Sequence, residues 1–163
     1  MKKIGLLSDT HGTIPEQLFD FFSACDEIWH AGDIGNMQVA DQIGSFKPLR
    51  AVFGNIDGSE VRLTYPEINI FTIEKIKVVI LHIGGYPGHY TALARKAILA
   101  EQPDLFISGH SHILKVIYDQ HFRLLHINPG AAGKSGFHTK ITMVRFDINQ
   151  DKISNLEIFE KSR

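Results

Sequence analysis

The stretch Lys3–Gly12, KIGLLSDTHG, decides how this chain is read. A short apolar run, Ile4–Leu7, stops at Ser8, and Asp9, Thr10, His11 and Gly12 come at once. A run this short, bounded by polar residues and glycine, suits a buried strand. The residues beyond it supply a carboxylate and an imidazole. The pattern returns along the chain. Ile28–His30 leads into Ala31, Gly32 and Asp33, and Leu49–Phe53 into Gly54, Asn55, Ile56 and Asp57. Ile76–Leu81 leads into His82, and Leu105–Ser108 into Gly109, His110, Ser111 and His112. Five apolar runs end in metal-capable residues, with glycine close by.

Between these runs lie helical patterns. Pro15–Ala24 begins with a residue suited to a first helical turn and sets Leu18, Phe19 and Phe22 on one face. Met37–Phe46 and Thr91–Gln102 also read as helices. Strand alternating with helix predicts βαβ units and a mainly parallel sheet. The second half changes character. Ile68–Ile73, Lys77–Leu81, Ile113–Tyr118, Phe122–Ile127, Thr139–Phe146 and Ile153–Phe159 read as strands with short links. Asp119–His121 and Asn149–Asp151 have the look of hairpin turns. Two packed sheets with helices outside would bury both patterns. With 163 residues and no linker or repeat, the expectation is one α/β domain over residues 1–163.

Composition narrows the function classes. Hydrophobic residues make up 44% and charged residues 21%, as in an ordinary globular protein. The net charge is −1 and no basic block stands out, so no dedicated nucleic-acid surface is expected. The single Cys25 excludes an intrachain disulfide and a cysteine-based zinc site. The apolar stretch Ile4–Leu7 is too short for a signal peptide, and no run approaches a membrane span. The expected location is the cytoplasm, with no membrane partner. The sequence is compatible with a homo-oligomer.

The chemistry gathers at the carboxyl ends of the runs. In open α/β sheets, functional groups collect in the crevice there. Residues i and i+2 of an extended chain point the same way, so Asp9 with His11, and His110 with His112, are each expected to offer two ligands, on adjacent or neighbouring ions. Asp9, His11, Asp33, Asn55, His82, His110 and His112 form an oxygen and nitrogen donor set without sulfur. Such a set suits Mn²⁺, Fe or Zn²⁺. Seven ligands are too many for one tetrahedral site and suit two cations sharing a carboxylate. Paired metals clamp the attacking and leaving oxygens of a phosphoryl displacement.

The order Asp9-x-His11, Gly32-Asp33, Gly54-Asn55, His82, Gly109-His110-x-His112 resembles the calcineurin-like metallophosphoesterase signature. LLSDTHG, HAGDIG, FGNID and INPGA are similar to segments of its small single-domain prokaryotic phosphodiesterase branch. The resemblance implies a four-layer α/β/β/α sandwich. It implies that Asp9, His11, Asp33 and His112 hold one divalent transition-metal ion and Asp33, Asn55, His82 and His110 the second, with Asp33 bridging. Mn²⁺ is the first expectation, with Zn²⁺, Fe, Ni²⁺ or Co²⁺ as alternatives. A metal-bridging hydroxide would attack a small phosphoester in line. On this reading Asp33, Asn55, His82 and Asp57 are the catalytic candidates. The sequence departs from the family in two places. Ile56 stands where many members place a histidine that aids the leaving group, and His82 continues as Ile83-Gly84-Gly85 rather than His-Gly-His. The eukaryotic retromer scaffold subunit also resembles this branch, so a non-catalytic protein-binding scaffold is the rival reading.

The remaining candidates carry two readings each. His30 orients a ligand or is a satisfied core histidine. Asp57 tunes Asn55 and the metal water or caps a turn. His89, in a Gly/Pro-rich loop, is a candidate for touching phosphate. His121 is expected in solvent and His126 in structural packing, His138 after GKSGF is a minor candidate, and Cys25 is expected to be buried. Asn128–Ser135, NPGAAGKS, approaches a phosphate-cradling loop, but that loop should open into a helix and FHTKITMVRFDI alternates like a strand.

Overall fold

In the computed structural model, which describes all residues from Met1 to Arg163, the apolar runs become the strands of two five-stranded sheets. The first sheet has the order β10-β9-β1-β2-β3, from β1 (Lys2–Leu7), β2 (Glu27–His30), β3 (Leu49–Ala51), β9 (Lys140–Asn149) and β10 (Lys152–Ser162). The second has the order β4-β5-β6-β8-β7, from β4 (Ile68–Ile73), β5 (Ile76–Leu81), β6 (Leu105–Ile107), β7 (Leu114–Asp119) and β8 (Leu124–Pro129). β1, β2 and β3 run parallel, as do β5, β6 and β8, and the hairpin partners β9, β10, β4 and β7 complete the sheets antiparallel.

Alternation in the central strands explains the layers. Ile4 and Leu6 of β1, Val78 and Ile80 of β5, and Leu105 and Ile107 of β6 meet in one buried cluster between the sheets. Leu7 points the other way, into a cluster with Leu18, Phe22, Val39 and Ile43 under the first helices. Val79, Leu81 and Phe106 turn outward onto Ala94 and Ile98. A strand buried on both faces needs apolar residues at successive positions, and Ile4–Leu7, Val78–Leu81 and Leu105–Ile107 supply them. The result is the four-layer arrangement of two mixed sheets flanked by helices.

The helices are α1 (Leu18–Phe21), α2 (Met37–Phe46), α3 (Ser59–Thr64) and α4 (Ala92–Glu101). α2 begins where the Asn36 side chain accepts from Val39 N–H and stops at extended Lys47, as the next residue, Pro48, requires. α4 is capped by Thr91 and ends at left-handed Gln102. The expected Pro15–Ala24 helix shrinks to a single turn capped at Phe22, whose ring lies against Gly5 of β1. α3 has no counterpart among the helices expected from sequence. The NPGAAGKS segment leaves β8 at Pro129 and leads toward β9, a strand and not a helix, so it is no phosphate-cradling loop. No helix is long and apolar enough to cross a membrane.

The parallel strands place the polar segments. β1, β2 and β3 end side by side, and the loops leaving them meet those of β5 and β6 from the other sheet.

Candidate metal centre

The loop after β1 is bound to the loop after β2 by backbone hydrogen bonds. Asp9 N–H donates to Gly32 O at 3.0 Å and His11 N–H to Asp33 O at 3.0 Å. Across the sheets, His82 Nδ1 lies 2.7 Å from Ala31 O, and His110 N–H donates to Asp9 Oδ2 at 3.1 Å. These links gather six of the expected ligands into two groups, Asp9 with His11 and His112, and Asp33 with His82 and His110. Within each group the ligand atoms lie within 4.8 Å of one another.

Asp33 joins the groups. Its Oδ1 is 3.2 Å from His82 Nε2 and its Oδ2 is 3.5 Å from His11 Nε2. Asn55 stands beside the second group, with Oδ1 3.1 Å from His82 Nε2. The expectation that i and i+2 pair through extended backbone is corrected. Asp9, His11, Asp33, His110 and His112 all have positive φ, between 47° and 69°. That region is sparsely populated by non-glycine residues and collects at functional sites. Asp9 and His11 share a group, whereas His110 and His112 part, one to each.

Two buried atoms show what the groups lack. Asp9 Oδ1 and His11 Nε2 have no hydrogen-bond partner. Buried polar atoms are seldom left so. Both face the interior of the first group, where a divalent cation is the partner that carboxylate and imidazole lone pairs fit. In the second group the atoms have partners, but they crowd together. Ala31 O can only accept, so His82 carries a proton on Nδ1. Its Nε2 lone pair then converges with Asp33 Oδ1 and Asn55 Oδ1, and a shared cation relieves the crowding.

Charge balance without a cation falls to protons. Burial alone would raise the Asp9 pKa, but the rings of His11 and His112, the charge of His82 and the Ser8 hydroxyl outweigh it and hold it well below the usual carboxylate range. Burial would lower the His82 pKa, and Asp33 and Asp9 turn the balance upward. Burial would likewise raise the Asp33 pKa, and His82 overcomes it, so Asp33 is depressed.

The supporting residues have distinct places. Asp57, 3% exposed, accepts from three backbone amides: Ile34 at 3.1 Å and Gly54 at 2.8 Å on Oδ2, and Gly35 at 2.8 Å on Oδ1. It ties the Asp33 loop to the Asn55 turn. With both oxygens taken by backbone amides, its contacts are those of the turn-cap reading. His30 is a satisfied core histidine. It accepts from Gly32 N–H at 3.1 Å and bonds Thr10 Oγ1 at 2.9 Å, and burial lowers its pKa to about 4. It touches the loops that carry Asp9 and Asp33, not a ligand side chain. His89 is exposed, lies against Tyr86 with the rings tilted by 45° and their centroids 4.9 Å apart, and belongs to neither group.

Close approach explains the glycines. A Cβ on Gly54 would overlap the amide and carboxylate of Asp33, and one on Gly109 would overlap Ser8 Oγ. Two positioning residues lie in the family-like segments LLSDTHG and INPGA, but their partners cannot be read from the sequence. Ser8 Oγ donates to Asp9 Oδ2 at 2.6 Å, and Asn128 Nδ2 donates to Gly109 O at 2.9 Å and Ser111 Oγ at 3.0 Å, holding the His110 turn. The NPG triplet marks a turn but does not say what it grips.

Known proteins share this arrangement of sequence and fold. A model of the calcineurin-like phosphoesterase superfamily domain matches residues 1–151. A probable metallophosphoesterase of Methanothermobacter thermautotrophicus is 32% identical over 135 residues, covering 78% of this chain and 76% of its own. A phosphodiesterase of Methanocaldococcus jannaschii is 28% identical over 144 residues, covering 78% of this chain and 82% of its own. Among solved structures, Vps29 of Entamoeba histolytica superposes with a TM-score of 0.78 at 15% identity, over 99% of both chains. By these likenesses of sequence and fold, the chain belongs to the calcineurin-like phosphoesterase superfamily.

Proposed function

We propose that this protein is a dinuclear-metal phosphodiesterase acting on a small organic phosphodiester. The observation that carries the reading is the pair of three-residue groups joined by Asp33, with Asp9 Oδ1 and His11 Nε2 buried and unpartnered inside. Asp9, His11 and His112 with Asp33 would hold one ion, and Asp33, Asn55, His82 and His110 the other. Mn²⁺ is the leading ion, with Zn²⁺, Fe, Ni²⁺ or Co²⁺ able to use the same donors. When bound, such ions polarise phosphoryl oxygens and bring the pKa of water toward neutrality.

The chain's own residues do the rest. Asp57 holds the Asp33 loop and Asn55 turn in register through three amides. Asn128 and Ser8 fix the His110 turn and the Asp9 carboxylate. Ile56, 46% exposed, lies at the rim with its amide on Asp33 Oδ1 at 3.0 Å. It can neither donate a proton nor bind an anion. That favours a diester, which carries less charge than a monoester dianion and needs less neutralisation. Two clefts also flank His110 and Ser111. One, of ≈ 670 Å³, includes His112 and Phe137, and the other, of ≈ 260 Å³, includes Tyr86 and Lys115. A diester has two organic arms to seat, and a monoester has one.

The scaffold reading rests on likeness of fold, which both readings share, and on Ile56 in place of a leaving-group histidine; the two metal-capable groups count against it. The test is hydrolysis of a bis-aryl phosphodiester and the matching aryl monoester by protein reconstituted with Mn²⁺, Ni²⁺, Co²⁺ or Zn²⁺. The diester should be cleaved faster, and Asp33→Asn should abolish cleavage. Wild-type protein inert with all four metals, on several diesters and monoesters, would overturn the reading.

A further inference from the structure

We propose that His138 is a positioning residue that fixes the tautomer of His112 and thereby completes the first metal group. The inference rests on reading Asp9, His11 and His112 as metal ligands. It begins with two contacts. His138 Nε2 lies 2.8 Å from Gly133 O, and His138 Nδ1 lies 3.0 Å from His112 Nδ1.

The first contact settles the second. A backbone carbonyl only accepts, so the Nε2 of His138 carries a proton. In the neutral ring Nδ1 is then a bare lone pair. The contact between the two Nδ1 atoms needs one proton, and only His112 can supply it. His112 is therefore protonated on Nδ1 and bare on Nε2, the atom that lies 3.1 Å from Asp9 Oδ1. The relay runs from Gly133 O through His138 and His112 to the metal group. Which ring nitrogen can bind a metal is set by the bond the other one makes. His82 reaches the same state by a shorter route, its Nδ1 meeting Ala31 O directly. One group thus uses a carbonyl and the other a second histidine.

The loop is built around this contact. Gly133 N–H donates to Asp9 O at 3.0 Å, so the residue that orients His138 is itself fastened to a ligand of the same group. Gly136 has φ +125°, and a Cβ there would overlap His112 Nδ1 and come within 3.1 Å of His138 Nδ1. Only glycine lets the loop close over the pair. Arg163 holds the other side, with Nη1 donating to Gly136 O and its backbone amide to Thr139 O.

Removing partners of metal-bound histidines typically costs about 10–100-fold in metal affinity. Calorimetric titration of metal-stripped protein with Mn²⁺ should show two sites in wild type. His138→Phe keeps a ring but removes the acceptor. It should weaken one site by about 10–100-fold and leave the other within about twofold. His138→Asn, whose Oδ1 can accept from His112, should recover most of the loss. Equal weakening of both sites by His138→Phe, no weakening, or no recovery with His138→Asn would overturn the proposal. Nitrogen-15 NMR of the metal-free protein reads the tautomer independently of metal. His112 protonated on Nδ1 supports the relay even if wild type binds none of Mn²⁺, Ni²⁺, Co²⁺ and Zn²⁺, in which case the functional reading alone fails. His112 protonated on Nε2 overturns the relay even if both sites fill.

Discussion

Replacing Asp57 by asparagine separates a carboxylate that holds the site together from one that does chemistry. The side chain is buried and takes three amides, two on Oδ2 and one on Oδ1. Hydrogen bonds to a charged acceptor are each worth about 1.5–3 kcal/mol net. Asparagine can keep its oxygen toward Ile34 and Gly54, but its amide then meets the Gly35 N–H donor to donor. One charged bond is lost and a buried donor is left unpaired, for a cost of about 2–3 kcal/mol. In a domain of this size that is a fall in Tm of roughly 4–12 °C. Alanine strands all three amides and should cost about 3–6 kcal/mol, a large share of a total stability of about 5–15 kcal/mol. Urea unfolding tracked by Trp29 fluorescence is the assay, since Trp29 is the sole tryptophan and fully buried. Asp57→Asn within about 0.5 kcal/mol of wild type, but with kcat down about 100-fold, the scale of a lost general acid, would refute the anchoring role.

The same geometry sets three further outcomes. Ile56→His should raise monoester turnover selectively, by about tenfold, below the full 10²–10⁴-fold effect of a well-placed acid, as read from kcat/KM on paired aryl substrates. His126 is buried against Phe106, and burial, reinforced by Lys115, lowers its pKa to about 4 from an ordinary 6.5. The unfolded chain therefore binds this proton more readily, and stability is lost as pH falls from about 6.5 toward 4, by about 2–3 kcal/mol between pH 7.5 and 4.5. His126→Leu should shrink that difference in paired urea titrations. Metal at 100 times its Kd adds about 2.7 kcal/mol per site, so with two sites a chelator should lower Tm by roughly 10–20 °C.

The strand ends carried most of what could be read from the residues. β4, β5 and α2 fall within the expected bounds, because each is a clean apolar run or a capped amphipathic one. α1 is a single turn capped at Phe22, whose ring lies against Gly5 across the layer. α3 was invisible because six residues hold less than two turns of periodicity. The donor residues were legible as types in order. Their geometry was not, since the rule that pairs i with i+2 assumes extended chain and five of these residues are left-handed. Asp57 and His138 show the deeper limit. One is bound to loops 22 and 23 residues away and the other to a ring 26 residues away, and nothing local announces either partner.

The most direct test of the central claim measures metal content and diester hydrolysis on one sample. Protein reconstituted with Mn²⁺ and desalted should carry two ions per chain by mass spectrometry and cleave a bis-aryl phosphodiester. Asp33→Asn, which removes the carboxylate shared by both groups, should lower the count and abolish cleavage together. A wild-type sample that holds no metal and cleaves nothing, or an Asp33→Asn sample that keeps full activity, would contradict the account.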